Sequence, residues 1–217
     1  MEDTKIAVIA DVHANIYALT AFLEIVDKSG DIDCIWNLGD FLQIGPHPFE
    51  VAEIILNDPR FVNILGNNEQ ALIEHNLSSF PPNEVVHQNW TLEQIGNDLL
   101  SKLRSIPAVR EIHLGNQTVL LIHIPEEAQH YPNIKMVACG HTHKQLGWTK
   151  NGVVYINPGS LGASFISPQA DYAIIEVYND EVQVSLESLI IDDSKLRSDY
   201  ISRCVPDAEY LMNLFNL

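Results

Sequence analysis

Three short apolar runs, spaced by helical periodicity, constrain this chain more than any other feature. Lys5–Ala10 (KIAVIA), Asp33–Asn37 (DCIWN) and Phe61–Leu65 (FVNIL) are nearly continuous in apolar residues, the pattern of strands buried on both faces. Between the first two, Leu19, Phe22, Leu23 and Val26 recur at helical spacing, with Asn15 placed as an N-cap and Gly30 as the stop. Between the second and third, Phe49 to Leu56 reads as a helix after two prolines. Strand–helix alternation of this kind predicts a parallel sheet.

The pattern then changes. Leu72 to Asn83 reads as a loop after a short helix, punctuated by Pro81-Pro82, and Leu92, Ile95, Leu99 and Leu103 mark one helix face. From Val109 onward short strands dominate: Val109–Leu114, Thr118–Ile122, Lys135–Cys139, Val153–Ile156, Tyr172–Val177 and Val182–Leu186. Gly115-Asn116 and Asn179-Asp180 are hairpin-like turns. The tail reads as a helix from about Ser194, interrupted at Pro206 and resumed to Phe215. No repeat or linker composition intervenes, so one domain over residues 1–217 is expected, with a helical tail over about 194–217.

Charge excludes some partners. The formal net charge is −17, and a chain so acidic repels polyanions, which disfavours a nucleic-acid polymer as partner. No apolar stretch is long enough to span a membrane. The opening residues lack the basic region of a secretory signal, so a cytoplasmic protein is expected. The 3 cysteines show no CxxC spacing; Cys34 and Cys139 read as buried thiols.

Polar residues interrupt the apolar pattern where strands end: Asp11 and His13, Asp40, Asn67, His123, then His141 and His143. Open α/β sheets place ligands at such ends. Each element alone has an ordinary explanation. Asp-x-His is a capped strand end, Gly39-Asp40 a turn, Gly66-Asn67-Asn68 a left-handed turn, His123 a core histidine and HxH a satisfied polar pair. Their joint occurrence, in order and each after an apolar run, favours metal ligation. Carboxylates, an amide and imidazoles suit Mn, Fe, Zn, Co or Ni. The absence of thiolates from the set argues against a structural zinc site.

These blocks, DVH, GD, GN, IH and GHTH, resemble the DxH, GD, GN, H and GHxH blocks of the calcineurin-like metallophosphoesterase superfamily. GDFLQIGPHP, NWTLEQI and INPGSLG resemble its small bacterial and archaeal phosphoesterases, and the likeness runs to about residue 190. The resemblance implies a four-layer α/β/β/α sandwich of two mixed sheets, with metals at one edge. It assigns Asp11, His13 and His143 to one divalent ion, Asn67, His123 and His141 to a second, and Asp40 to both. Mn heads the candidate ions, with Fe, Zn, Ni and Co as alternatives. It implies attack by a metal-bridging hydroxide on small phosphodiesters, nucleotides or phosphomonoesters, with Asp11, Asp40, His123 and Asn68 in catalytic positions.

The chain also departs from the family pattern. Position 68 is Asn where relatives commonly carry His. Asn cannot act as a general acid, although it can donate a hydrogen bond to phosphate; this favours good leaving groups. GDFLQIG lacks the arginine of protein phosphatases, and Ile124-Pro125 replaces the glycine that often follows the fourth-block His. Glu126, Glu127 and His130 read as a solvated loop, with an acidic rim as the alternative. Asn15 and Trp90 are candidate substrate contacts, with helix capping and packing as their competing roles. His47 reads as a surface-loop residue; His75, His87 and His113 read as structural or surface residues. Leu211, Leu214 and Phe215 are expected to pack on the chain's own sheet or on a second copy, which leaves room for a homo-oligomer. A metal-binding interaction module without turnover is the competing function. A DNA nuclease is disfavoured by the charge.

Overall fold

The computed structural model describes residues 4–75, 81–179 and 181–217, the Asn83 side chain excepted. Two five-stranded mixed sheets stack on one another. The first contains β1 (Thr4–Ile9), β2 (Cys34–Asn37), β3 (Phe61–Asn63), β9 (Gln169–Tyr178) and β10 (Glu181–Ile190), in the order β10-β9-β1-β2-β3. β1, β2 and β3 run parallel, with Ile6 opposite Cys34 and Ile35 opposite Phe61, while β9 and β10 are antiparallel. The second contains β4 (Val109–Leu114), β5 (Gln117–Ile122), β6 (Met136–Ala138), β7 (Gln145–Lys150) and β8 (Val153–Pro158), in the order β4-β5-β6-β8-β7.

Alternation of side chains along β1 explains the layering. Ile6, Val8 and Ala10 point into the core between the sheets, with Trp36, Val119, Leu121 and Ile175. Ala7 and Ile9 point to the other side, onto a helical layer. That layer is α1 (Ile16–Ser29), α2 (Pro48–Asn57), α3 (Asn67–Glu74) and α4 (Pro82–Leu103). Asn15 caps α1 by accepting from Ala18 N–H, and Gly30 ends it in the left-handed region at φ 66°. The outer face of the second sheet carries a six-residue 3₁₀ turn, Pro125–His130, whose Ala128 packs over Leu120, Ile122 and Val137.

α4 begins ten residues before the apolar stripe that announces it, so Asn83 is helical and the loop expected over Leu72–Asn83 is shorter. Leu72–Glu74 belong to α3, and residues 76–80 lie outside the described set, as does Asp180 of the second expected turn. The helix carries no apolar stripe before Leu92: its buried residues there include His87, which accepts from Ile44 N–H of a site loop, and Gln88. Pro82 starts this helix instead of breaking one, since N1 needs no intrahelical N–H donor. β7 has no counterpart among the expected strands; it is a half-exposed edge strand, and the Asn151-Gly152 turn joining it to β8 was its signal. Cys139 is buried, while Cys34 is only half-buried.

The tail forms α5 (Ser194–Ser202) and α6 (Ala208–Leu214). Leu196, Tyr200 and Val205 pack against Tyr17 of α1 and Trp90 of α4, so the tail closes on the helical layer. Among the described residues, no helix is long and apolar enough to cross a membrane.

Candidate metal centre

The loops that follow β1, β2, β3, β5 and β6 meet at one edge of the sandwich. Backbone bonds bind them together: Asp11 N–H to Gly39 O, His13 N–H to Asp40 O, Gly140 N–H to His123 O and Gly162 N–H to Asp11 O. Asp11, His13, Asp40, His141 and His143 all hold φ between 46° and 70°. Non-glycine residues pay roughly 1 kcal/mol or more for that region, so their concentration in one cluster marks a site whose side-chain directions matter. Space is equally restricted. A Cβ on Gly66 would lie 2.4 Å from Asp40 N, and one on Gly162 would lie 1.7 Å from Val12 O.

The structure brings the expected donors into two groups, Asp11–His13–His143 and Asp40–His123–His141, each with donor atoms within 4.8 Å of one another. Asn67 stands beside the second group, its Oδ1 3.0 Å from His141 Nδ1. Asp11 Oδ1 lies 3.4 Å from His143 Nε2, 3.7 Å from His13 Nε2 and 4.0 Å from His123 Nε2, and Asp40 Oδ2 lies 3.2 Å from His123 Nε2.

Three imidazoles have their orientation fixed from behind. His13 Nδ1 faces Gln43 O at 3.2 Å, His123 Nδ1 faces Leu38 O at 2.7 Å, and His143 Nδ1 faces Ala163 O at 2.7 Å. A carbonyl only accepts, so each Nδ1 donates and each Nε2 turns a lone pair inward. His13 Nε2 and His143 Nε2 then confront each other at 3.0 Å, which requires a proton or a cation between them. Asp11 Oδ1 and His123 Nε2 are buried without a hydrogen-bond partner. A cation held at about 2.0–2.2 Å from each donor needs donors roughly 3.0–3.5 Å apart, and the cluster approximates that spacing. The residues therefore fit divalent cations.

The electrostatics favour positive charge at these inward nitrogens, whether a proton or a metal ion supplies it. Burial pulls the His123 imidazole down, yet the Asp40 and Asp11 carboxylates more than offset it and push its pKa up to about 10. Burial raises the Asp40 carboxyl, but the His123 and His13 rings win and hold it below the usual carboxylate range. Burial likewise lowers His13 while Asp11 raises it, with a net rise. His143 moves down, through burial first and the neighbouring His13 second.

Several residues support this cluster from outside it. Glu69, fully buried, accepts from four backbone N–H groups: Asp40 and Gly66 at Oε2, Phe41 and Leu42 at Oε1. It fixes the Asp40 loop to the start of α3; burial and the Asp40 charge raise its own pKa. The sequence reading missed this role, although an acid three residues after Gly66 at a helix start is the signal for it. Asn157 Nδ2 donates to Gly140 O and Thr142 Oγ1, and Ser160 Oγ donates to Asp11 O, which explains the INPGSLG stretch.

Asn68 donates from its backbone to Asp40 Oδ1 and from Nδ2 to Asp40 Oδ2, at 2.9 and 3.0 Å, so its amide serves the carboxylate. Two candidate substrate contacts are seen in the competing structural roles. Asn15 is 1% exposed, with Oδ1 on Ala18 N–H and Nδ2 on Gly162 O, so its side chain caps α1 and ties it to the loop after β8. Trp90 packs beneath α5 rather than beside the cluster. His47 is corrected: it is buried, with Nε2 2.9 Å from Asp199 of α5, because the tail folds back over the loop that looked exposed. His87 is buried and accepts from Ile44 N–H, while His113 is exposed. Glu126, Glu127 and His130 lie exposed on the 3₁₀ turn.

Comparison with known proteins places this geometry. The chain is 27% identical over 175 residues to an uncharacterized protein of Methanocaldococcus jannaschii, covering 74% of this chain and 71% of the relative. It matches the crystal structure of a metallophosphoesterase from Sphaerobacter thermophilus with a TM-score of 0.77 and 25% identity, over 99% of both chains. A hypothetical protein from Pyrococcus horikoshii shares the fold with a TM-score of 0.82 at 19% identity, over 98% of both chains. Residues 4–180 match the calcineurin-like phosphoesterase superfamily domain. The chain belongs to the calcineurin-like phosphoesterase superfamily.

Proposed function

We propose that this protein is a dinuclear metal-dependent phosphoesterase that hydrolyses small phosphodiesters, nucleotides or phosphomonoesters. The observation that carries the proposal is the convergence of inward-facing donors, His13 Nε2 against His143 Nε2 at 3.0 Å, with Asp11 Oδ1 3.4 Å from His143 Nε2 and Asp40 Oδ2 3.2 Å from His123 Nε2. In this reading Asp11, His13 and His143 hold one divalent ion, Asn67, His123 and His141 hold the other, and Asp40 serves both. Manganese is the first candidate, with iron, zinc, nickel and cobalt behind it. Bound there, the pair of cations supplies Lewis acidity, making water acidic enough to react at neutral pH and offsetting charge on the phosphate.

The chain's own residues do the rest. The carbonyls of Gln43, Leu38 and Ala163 hold three imidazoles in the ligating tautomer. Asn68 orients Asp40 through two hydrogen bonds. No acid stands at position 68 to protonate a departing alkoxide, which favours esters whose leaving group departs unassisted. The −17 charge favours small substrates over polyanions.

The test is turnover of bis(p-nitrophenyl) phosphate by purified protein with added Mn²⁺. Activity is expected, falling by a factor on the order of 10² or more on Asp40→Asn or His141→Ala, and falling steadily as the leaving-group pKa rises. Metal uptake without turnover would instead support an interaction module. Turnover unaffected by either substitution would refute the assignment of the site.

A further inference from the structure

Phe165 stands on the loop that follows β8, beside the candidate metal centre, with 44% of its surface exposed. Exposed apolar side chains are ordinary on protein surfaces; placement and rigidity set this one apart. Its ring centroid lies 5.4 Å from that of His143, at an interplanar angle of 31°. Phe215, just after α6 and 3% exposed, stacks on both rings, 5.6 Å from Phe165 and 5.9 Å from His143. An imidazole of the cluster thus continues into two apolar rings, one buried and one open to solvent.

The loop is held from several sides. His143 Nδ1 donates to Ala163 O at 2.7 Å, Ser160 Oγ accepts from Ala163 N–H at 2.8 Å, and Asn216 Nδ2 donates to Phe165 O at 3.0 Å. Ser164 Oγ accepts from Ile166 N–H at 3.1 Å. One segment therefore orients a ligand histidine and presents Phe165. A surface fixed in advance loses little entropy when a ligand covers it.

Its chemistry agrees with that of position 68. With no acid there, the favoured esters are those whose leaving group departs unprotonated, and an aryloxide stabilised by its ring is such a group. Aromatic rings bind one another by offset or edge-to-face packing, beyond what apolar burial alone gives. A neutral ring also adds nothing to the repulsion that a chain of −17 charge exerts on anions.

We propose that Phe165 is a specificity-determining residue: its exposed ring is the platform for the aryl group of an aryl phosphate ester whose phosphate lies at the candidate metal centre. The proposal deepens the phosphoesterase reading and rests on it for the placement of the phosphate.

Titration calorimetry of the Mn²⁺-loaded protein with phenylphosphonate and with methylphosphonate tests it, since the two share a head group and neither carries an ester bond to hydrolyse. The phenyl compound is expected to bind about fivefold or more tighter. Phe165→Ala should bring the two affinities close to equality, while Phe165→Tyr, which keeps the ring, should retain the preference. Any difference in acidity between the two head groups is common to all three proteins. Circular dichroism and metal content establish that the variants are folded and loaded. Equal binding of the two compounds by the wild type, or a preference undiminished in Phe165→Ala, would overturn the proposal. Loss of the preference in Phe165→Tyr as well would assign Phe165 to packing alone and overturn it too. Binding of neither phosphonate would remove the phosphate site and this proposal together. The preference in a protein that does not turn over bis(p-nitrophenyl) phosphate would sink the phosphoesterase reading and leave the aryl platform standing.

Discussion

Glu69 shows how one buried charge can organise a site it does not join. Its carboxylate takes four backbone N–H groups from two loops, two on each oxygen. Glu69→Gln must turn an NH₂ toward one of those pairs. Leaving buried donors unsatisfied costs about 1–3 kcal/mol each, so a loss of about 3 kcal/mol is expected in urea denaturation, with weaker metal uptake. A change below about 0.5 kcal/mol would show that the loops hold without it. His87 gives a second prediction at this scale. Burial lowers its pKa from 6.5 to about 4 in the folded chain. Between those values the unfolded chain binds the proton and the folded chain does not, so stability falls as pH falls. From pH 7 to pH 5 the wild type should lose about 2 kcal/mol more than His87→Gln. Parallel stability–pH profiles for the two proteins would contradict this.

The elements were legible in proportion to the locality of their cause. β1, α1 and β2 declare themselves because each buries a periodic apolar face close to its own turn signals, as with Asn15 and Gly30 around α1. The start of α4 does not, because its buried residues before Leu92 include His87 and Gln88, and His87 meets a loop 43 positions away. His47 escaped recognition for the same reason: its partner Asp199 lies 152 positions away. The tail also has a function that its composition conceals. Phe215 is 3% exposed, with its ring stacked 5.9 Å from that of His143 and 5.6 Å from that of Phe165. Phe215→Ala should cost about 3 kcal/mol and loosen the wall behind His143. Thermal denaturation with metal-content measurement checks this, and an unchanged melting temperature with full metal content would show that α6 docks independently of the site.

At the scale of the molecule, two sheets deliver the parts of one centre. β1, β2 and β3 carry Asp11, His13, Asp40 and Asn67 to an edge where β5 and β6 bring His123, His141 and His143. These donors were readable from sequence because each stands alone after an apolar run. Their supports were not, because Glu69, Asn157 and Ser160 look like ordinary turn and cap residues until the loops they join are seen together. Two cations sharing this edge would make it a hydrolytic site. The direct measurement is the initial rate of bis(p-nitrophenyl) phosphate hydrolysis as Mn²⁺ is added to metal-free protein at a concentration well above the dissociation constant. The rate should rise and level off at two equivalents per chain. A plateau at one equivalent, or no hydrolysis at any ratio, would contradict it.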